Sequence, residues 1–219
     1  DVDANNKGGY WTYSAWNTFH INVTASAVQA FGINGHVMTD DAARDPYVET
    51  VQRGVNYLLS RLTTIGVGPQ PYGDPDGNQN GIGLTSPDGR PPYEVGPVMD
   101  AFVAAGRPEL VAAVGGPNVV GRTFHELMQD MVDVYAWGQG DGPTVSGGWC
   151  YGWNSGDCGD NSVSQWAAIG FMAAERYWGI ATPHWVKEHN LLWVAHSAGG
   201  SGFGYTGPGD GEATTPSGM

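Results

Sequence analysis

The sequence predicts an all-α fold built from repeated αα-hairpins, and three observations predict it. Three segments carry apolar residues at helical spacing behind a recognisable start signal, a smaller-residue helix precedes each, and a Gly-rich aromatic turn opens each pair. No convincing run alternates apolar and polar residues as a half-buried strand would.

The first pair comprises "TASAVQAFGI" after Asn22 and "DPYVETVQRGVNYLLSRL", where Asp45 and Pro46 signal a start and Val48, Val51, Val55, Leu58, Leu59 and Leu62 share one face. The second comprises "YEVGPVMDAFVAAG" from Tyr93 and "TFHELMQDMVDVY". There Thr123 and Glu126 form a capping box ahead of a stripe of Phe124, Leu127, Met128, Met131, Val132 and Tyr135. The third comprises "SVSQWAAIGFMAAE" from Ser162 and "TPHWVKEHNLLWVAH", which starts on Thr182 and Pro183. The first helices of pairs one and three align, Thr24 with Ser162 and Gly32 with Gly170, and their Ala and Gly content suits close backbone approach. The turns "GGYWTY" from Gly8, "GIGL" from Gly81, "GGWCY" from Gly147 and "GGSGFGY" from Gly199 recur every 50 to 75 residues or about that, room for two helices and two connections. The expected units are therefore about 8–80, 81–146 and 147–198, with a fourth beginning at 199, in one repeat domain over 1–205. A Gly/Pro/Thr-rich tail or linker follows at 206–219. Hairpins of this size must stack on their neighbours to bury their apolar faces.

Composition narrows the partners. A chain of 219 residues with 41% hydrophobic residues and nine Trp has the material for a core, while a net charge of −13 with only nine Lys plus Arg argues against nucleic acid or an anionic membrane. No apolar run approaches the roughly 18 residues that span a bilayer. The N-terminus lacks a basic-then-apolar signal, so any export signal is expected to have been removed, and the chain reads as a piece of a larger protein or a member of an oligomer. Cys150 and Cys158, eight apart across turn residues, are read most plainly as a local disulfide, which implies an oxidising compartment and an extracellular or cell-surface location. Free thiols and zinc ligation with His184 or His196 are the alternatives.

The residues bring a family into view. "RGVNYLLSRLTTIGVG" resembles the QW repeat of squalene cyclases and related α/α-toroid proteins: Arg53, Gly54, Tyr57, Leu58 and Gly66 stand at the motif's offsets, with Leu62 in place of its Gln and Gly68 in place of its Trp. "WVAHSAGGSGFG" keeps Trp193, Val194 and Gly202 in that register, and Gln139 and Trp149 lie further apart in "YAWGQGDGPTVSGGW". The resemblance covers residues 8 to 205. It implies a prenyltransferase/squalene-cyclase-type ring of helix pairs, a partial or complete α/α toroid with one layer inside and one outside.

The chemistry of that superfamily is not evident in the motifs. The acid cluster of a terpene cyclase has its nearest candidates in "DVDA" (1–4) and "TDDAARD" (39–45), which precede a turn and lie in a connection. "GWCYGW" is similar to a prenyltransferase zinc segment but has no Asp two residues before Cys150, and there is no Cys-Gly-Glu-Gln thioester run. His125 and His189 read as surface or packing residues. "DGNQNG" places Asp76, Asn78 and Asn80 at alternate positions before Gly81, the first half of an EF-hand-like calcium loop, but Pro87 occupies the twelfth position, where a bidentate Glu belongs. Asp74 or Asp88 is expected to assist; an ordinary Asx-rich loop has the same composition. At "GDCGDNSVSQW", Asp160 or Ser162 is expected to cap a helix, with Gln165 and Trp166 against the neighbouring turn. Trp149, Tyr151, Trp153 and Trp166 are candidate ring platforms for a glycan or an apolar small ligand, with Asp160 and Gln165 as candidate polar contacts to it, though a core would recruit the same rings. The Asn22–Thr24 triplet is a glycosylation sequon. The expectation is a secreted or surface scaffold or ligand-binding module, unknown protein partners included, with a terpenoid cyclase or prenyltransferase relative as the alternative. Calcium is the expected cofactor ahead of zinc.

Overall fold

A computed structural model describes residues 8–12, 19–212 and 214–218. The fold is largely helical. Six helices of 14 to 18 residues, α1 (His20–Ile33), α2 (Val48–Arg61), α3 (Pro91–Ala105), α4 (Phe124–Trp137), α5 (Asn161–Trp178) and α6 (His184–Ser197), fall where the apolar spacing placed them. Every residue assigned to the stripes of α2 and α4 is buried.

The start signals succeed unevenly. Thr123 and Glu126 form the full capping box: Thr123 Oγ1 accepts from the Glu126 N–H at 3.2 Å and Glu126 Oε2 takes the Thr123 N–H at 2.7 Å. Asp160 caps α5 by accepting from the Ser162 N–H at 2.7 Å. Asp45 instead takes the N–H of Tyr47, so Pro46 lies ahead of the first turn of α2. Thr182 is not a cap either. Its N–H donates to Glu175, and α6 starts at His184 behind Pro183.

The chain is not wholly helical, contrary to the all-α expectation. Thr63–Gly66 (β1) and Ile82–Thr85 (β2) pair antiparallel, with Thr63 opposite Thr85 and Gly66 opposite Ile82. Strands of four residues are too short for alternation to register, and β1 follows α2 with a single residue between them. The β1–β2 connection contains the candidate ion loop, and β2 lies on α4, where Gly83 faces Val134.

Three of the helices form a layer, α3 lying between α1 and α5. They run parallel and in register. Asn22 on α1 donates to the Tyr93 carbonyl on α3 and Gln29 donates to Asp100, both partners 71 residues on. The spacing recurs, to within a residue, where Gly96 of α3 meets Trp166 of α5 and Met99 meets Gly170. Any Cβ at Gly96 would overlap the Trp166 carbonyl, so the α3–α5 contact depends on that missing side chain. The Asn22 sequon is engaged in this layer through its side-chain amide nitrogen, the atom a glycan would need.

Pro97 explains how α3 is held. Proline has no N–H, so the carbonyl four residues earlier, Tyr93 O, loses its helical partner and is free for Asn22 at 3.0 Å. One bond away, the Tyr135 hydroxyl stands inside the ladder: it donates to Pro92 O at 2.6 Å and accepts from Gly96 N–H at 2.8 Å. Helix α3 is thereby pinned to α1 on one side and to α4 on the other.

The third pair is held by the residues of the QW resemblance. Gln139 Nε2 donates to Gly147 O (2.9 Å) and Val186 O (3.0 Å), joining the end of α4 to the start of α6. Trp193, fully buried, donates to Asn161 Oδ1 at 2.8 Å and ties α6 to the first turn of α5. Gly147 sits at φ 85° with no space for a side chain against the His189 carbonyl. The segment expected as a tail or linker over 206–219 folds back where it is described, at 206–212 and 214–218: Gly209 bridges to Ala198, Thr214 is buried and bonds Phe203 O at 2.6 Å, and a short helix α7 (Thr215–Gly218) packs on α5.

Candidate functional site

The six residues expected to bind ligand divide in the fold. Trp149 is core, 2% exposed, with its indole N–H on Tyr135 O at 2.9 Å. Trp153 is half-buried, donates to Thr85 Oγ1 at 2.8 Å and meets Tyr135 edge-on. Asp160 is buried and spent as a cap, bonded to the Ser162 N–H and hydroxyl. Gln165 donates to Ser162 O at 3.1 Å within the first turn of α5. Tyr151 and Trp166 remain half-buried at a shared surface.

That surface lies at the N-terminal ends of α3 and α5. Tyr93, in the first turn of α3, sits between them, its ring 6.2 Å from Tyr151 and 5.9 Å from Trp166, the latter edge-on. The Arg90 guanidinium, at the N-cap of α3, stands 4.5 Å from the Tyr151 ring centroid and 5.7 Å from that of Phe19. Tyr205, exposed, brings its hydroxyl to 3.2 Å from Tyr151 Oη and 3.0 Å from Ser162 Oγ. The 199–205 segment is placed for this by the first residue of α5, whose N–H donates to Tyr205 O and whose side chain donates to Gly204 O. The Tyr205 hydrogen bond, then burial, pushes the Tyr151 phenol above its ordinary value.

Next to Tyr93 in sequence is a buried acid. Glu94 is 1% exposed and accepts from the Ser86 hydroxyl, which β2 delivers. Burial pushes its carboxyl to about 7; the Ser86 bond opposes the shift, Asp88 adds to it and Arg61 offsets it. Arg61 and Asp88 pair at 3.2 Å, so Asp88 is committed here and does not assist the 74–81 loop. Arg90, Tyr93, Glu94 and Tyr205 escaped the sequence reading, although the Pro91–Pro92 start with Arg before it and an acid in the first turn was a visible signal.

Cys150 and Cys158 are bonded to each other, Cα atoms 5.9 Å apart, so neither thiolate is available to zinc. The loop they close carries Asp157, whose carboxylate takes the N–H groups of Thr144 and Val145 and is held below its ordinary pKa by them. His189 is buried, hydrogen-bonded to Ser146 at 2.8 Å and packed on Tyr72, with burial lowering its pKa; His125 is exposed. The Asp1–Ala4 acid candidate lies outside the described residues, and within 39–45 Asp41 and Asp45 accept turn N–H groups in an exposed connection. In the ion loop, Asp76 accepts from the N–H groups of Asn80 and Gly81, and Asn80 Oδ1 from that of Ile82. Among the described residues no three His, Cys, Asp or Glu side chains gather as a metal group, and no helix is long and apolar enough to cross a membrane. Comparison with protein-family models, with curated proteins and with solved structures returns no match.

Proposed function

We propose that the chain is a secreted or cell-surface α/α-toroid repeat domain, a scaffold in which the N-terminal ends of α3 and α5 form a binding face for an acidic glycan. The register of 71 residues between α1 and α3 supports the repeat, and the bonds made by Gln139 and Trp193 support the QW likeness. The disulfide supports an oxidising location. The reading of the face rests on one observation: an exposed guanidinium stacked on Tyr151 among Tyr93, Trp166 and Tyr205. Rings offer faces to sugar C–H groups, tyrosine hydroxyls offer hydrogen bonds at their rims, and Arg90 offers a fork for a carboxylate in a chain that is otherwise strongly acidic. Calcium at Asp76, Asn78 and Asn80 belongs to the same reading as a structural ion.

Tryptophan fluorescence titration with an oligogalacturonate, beside a neutral cello-oligosaccharide, tests it. The uronate is expected to bind, and Arg90→Ala to weaken it at least tenfold. Equal affinity in R90A, or no response to either sugar, refutes the face. A second reading, a terpenoid cyclase or prenyltransferase relative with a non-standard acid, is favoured by Glu94, which stays protonated to near neutrality one residue after Tyr93 in the chain. Turnover of a polyprenoid lost in Glu94→Gln would select it.

A further inference from the structure

The 74–81 loop lacks its last carboxylate in sequence, and the fold brings two acids to it from another element. Asp130 and Asp133, three residues apart on α4, are both fully buried. Asp130 Oδ1 accepts from the side-chain amides of Asn78 (2.7 Å) and Asn80 (2.9 Å), while its Oδ2 pairs with Arg122 at 2.5 Å. Asp133 Oδ1 accepts from Gly77 N–H at 3.1 Å, within the loop itself, and from Gln129 at 2.8 Å. The other oxygen, Asp133 Oδ2, is buried and has no partner among the described residues.

A carboxylate oxygen withdrawn from water with nothing against it is costly. Here it belongs to a group already bonded into a loop that presents Asp76, Asn78 and Asn80, with Arg122 pairing Asp130. A hard divalent cation takes six to eight oxygens at once from carboxylates, amides and carbonyls, and draws its affinity from the number of charged ligands. Asn oxygens count toward such a set although they make no cluster of acids. Resting on the reading of this loop as a calcium site, we propose that Asp133, with Asp130 beside it, supplies the carboxylate missing at the twelfth position. The ion then fastens the β1–β2 connection to α4. Burial pushes the Asp133 carboxyl up to about 7, against the Gln129 and Gly77 hydrogen bonds that lower it.

The experiment is calorimetric titration of the EDTA-stripped full chain with calcium chloride, and separately with magnesium chloride, at pH 7.5. One calcium ion is expected to bind with Kd tighter than about 10⁻³ M, and magnesium more weakly. Asp133→Asn is expected to weaken calcium at least tenfold, and Asp133→Ser, smaller and also neutral, gives the same comparison should the first variant fold poorly by circular dichroism. Unchanged calcium affinity in either folded variant overturns the role of α4 while leaving the loop as a site. Absence of calcium binding by the wild-type chain overturns both.

Discussion

Tyr135→Phe removes one oxygen from the core and tests the account of α3 directly. In the wild-type chain the hydroxyl bridges Pro92 O and Gly96 N–H, which would otherwise pair with each other as i and i+4. The helix cannot simply close over the gap. Gly96 is held against the Trp166 carbonyl on one side, and Pro97 directly after it supplies no N–H. The variant therefore leaves a buried donor and a buried acceptor unpaired, at about 1–3 kcal/mol each, for a total of about 2–6 kcal/mol. At about 2–4 °C per kcal/mol for a chain of this size, the melting temperature falls by roughly 4–24 °C. Thermal and urea unfolding followed by circular dichroism measure it, and hydrogen exchange at the Gly96 amide locates it. A loss below about 0.5 kcal/mol with the Gly96 amide still protected would show that the ladder closes without the hydroxyl, and the reasoning would fail.

Two further outcomes follow from buried charge and from the cross-link. Glu94 has a folded-state pKa raised to about 7, so it binds its proton more tightly folded than unfolded; its stabilisation is complete below about 4.5 and is lost as pH rises toward 7. In EDTA the chain should lose stability over that interval by up to about 1.4 kcal/mol per pH unit from this group, with Glu94→Gln flattening the slope and Asp133 retaining a share of it. An E94Q profile parallel to wild type would refute the assignment. Replacing Cys150 and Cys158 together by Ser opens an eight-residue separation and should cost about 2–3 kcal/mol on chain-entropy grounds, with the 140–147 loop losing protection first because Asp157 anchors it. Unchanged stability and unchanged exchange in that loop would contradict this.

The helices were legible because each long stripe has a single physical reading: Val48 through Leu62 and Phe124 through Tyr135 have no other way to be buried together. The strand pair was not, since "TTIG" and "IGLT" are too brief to establish a period and owe their pairing to each other. The site was half legible. Trp149 and Trp166 look alike along the chain, and only packing decides that one bonds Tyr135 inside the core while the other faces Tyr93. Arg90, Glu94, Asp130 and Asp133 have roles made by distance: Glu94 matters through Ser86 and Asp133 through Gly77, residues 8 and 56 positions away.

The 71-residue register also sets how this interior comes to exist during folding. A helical protein ordinarily gathers its contacts between near neighbours in the chain and folds fast, yet here each of α1, α3 and α5 must wait for a partner about a third of the molecule away. Coils should therefore wind early while the central seam knits late, giving an α-rich chain the sluggish kinetics familiar from β-sandwiches.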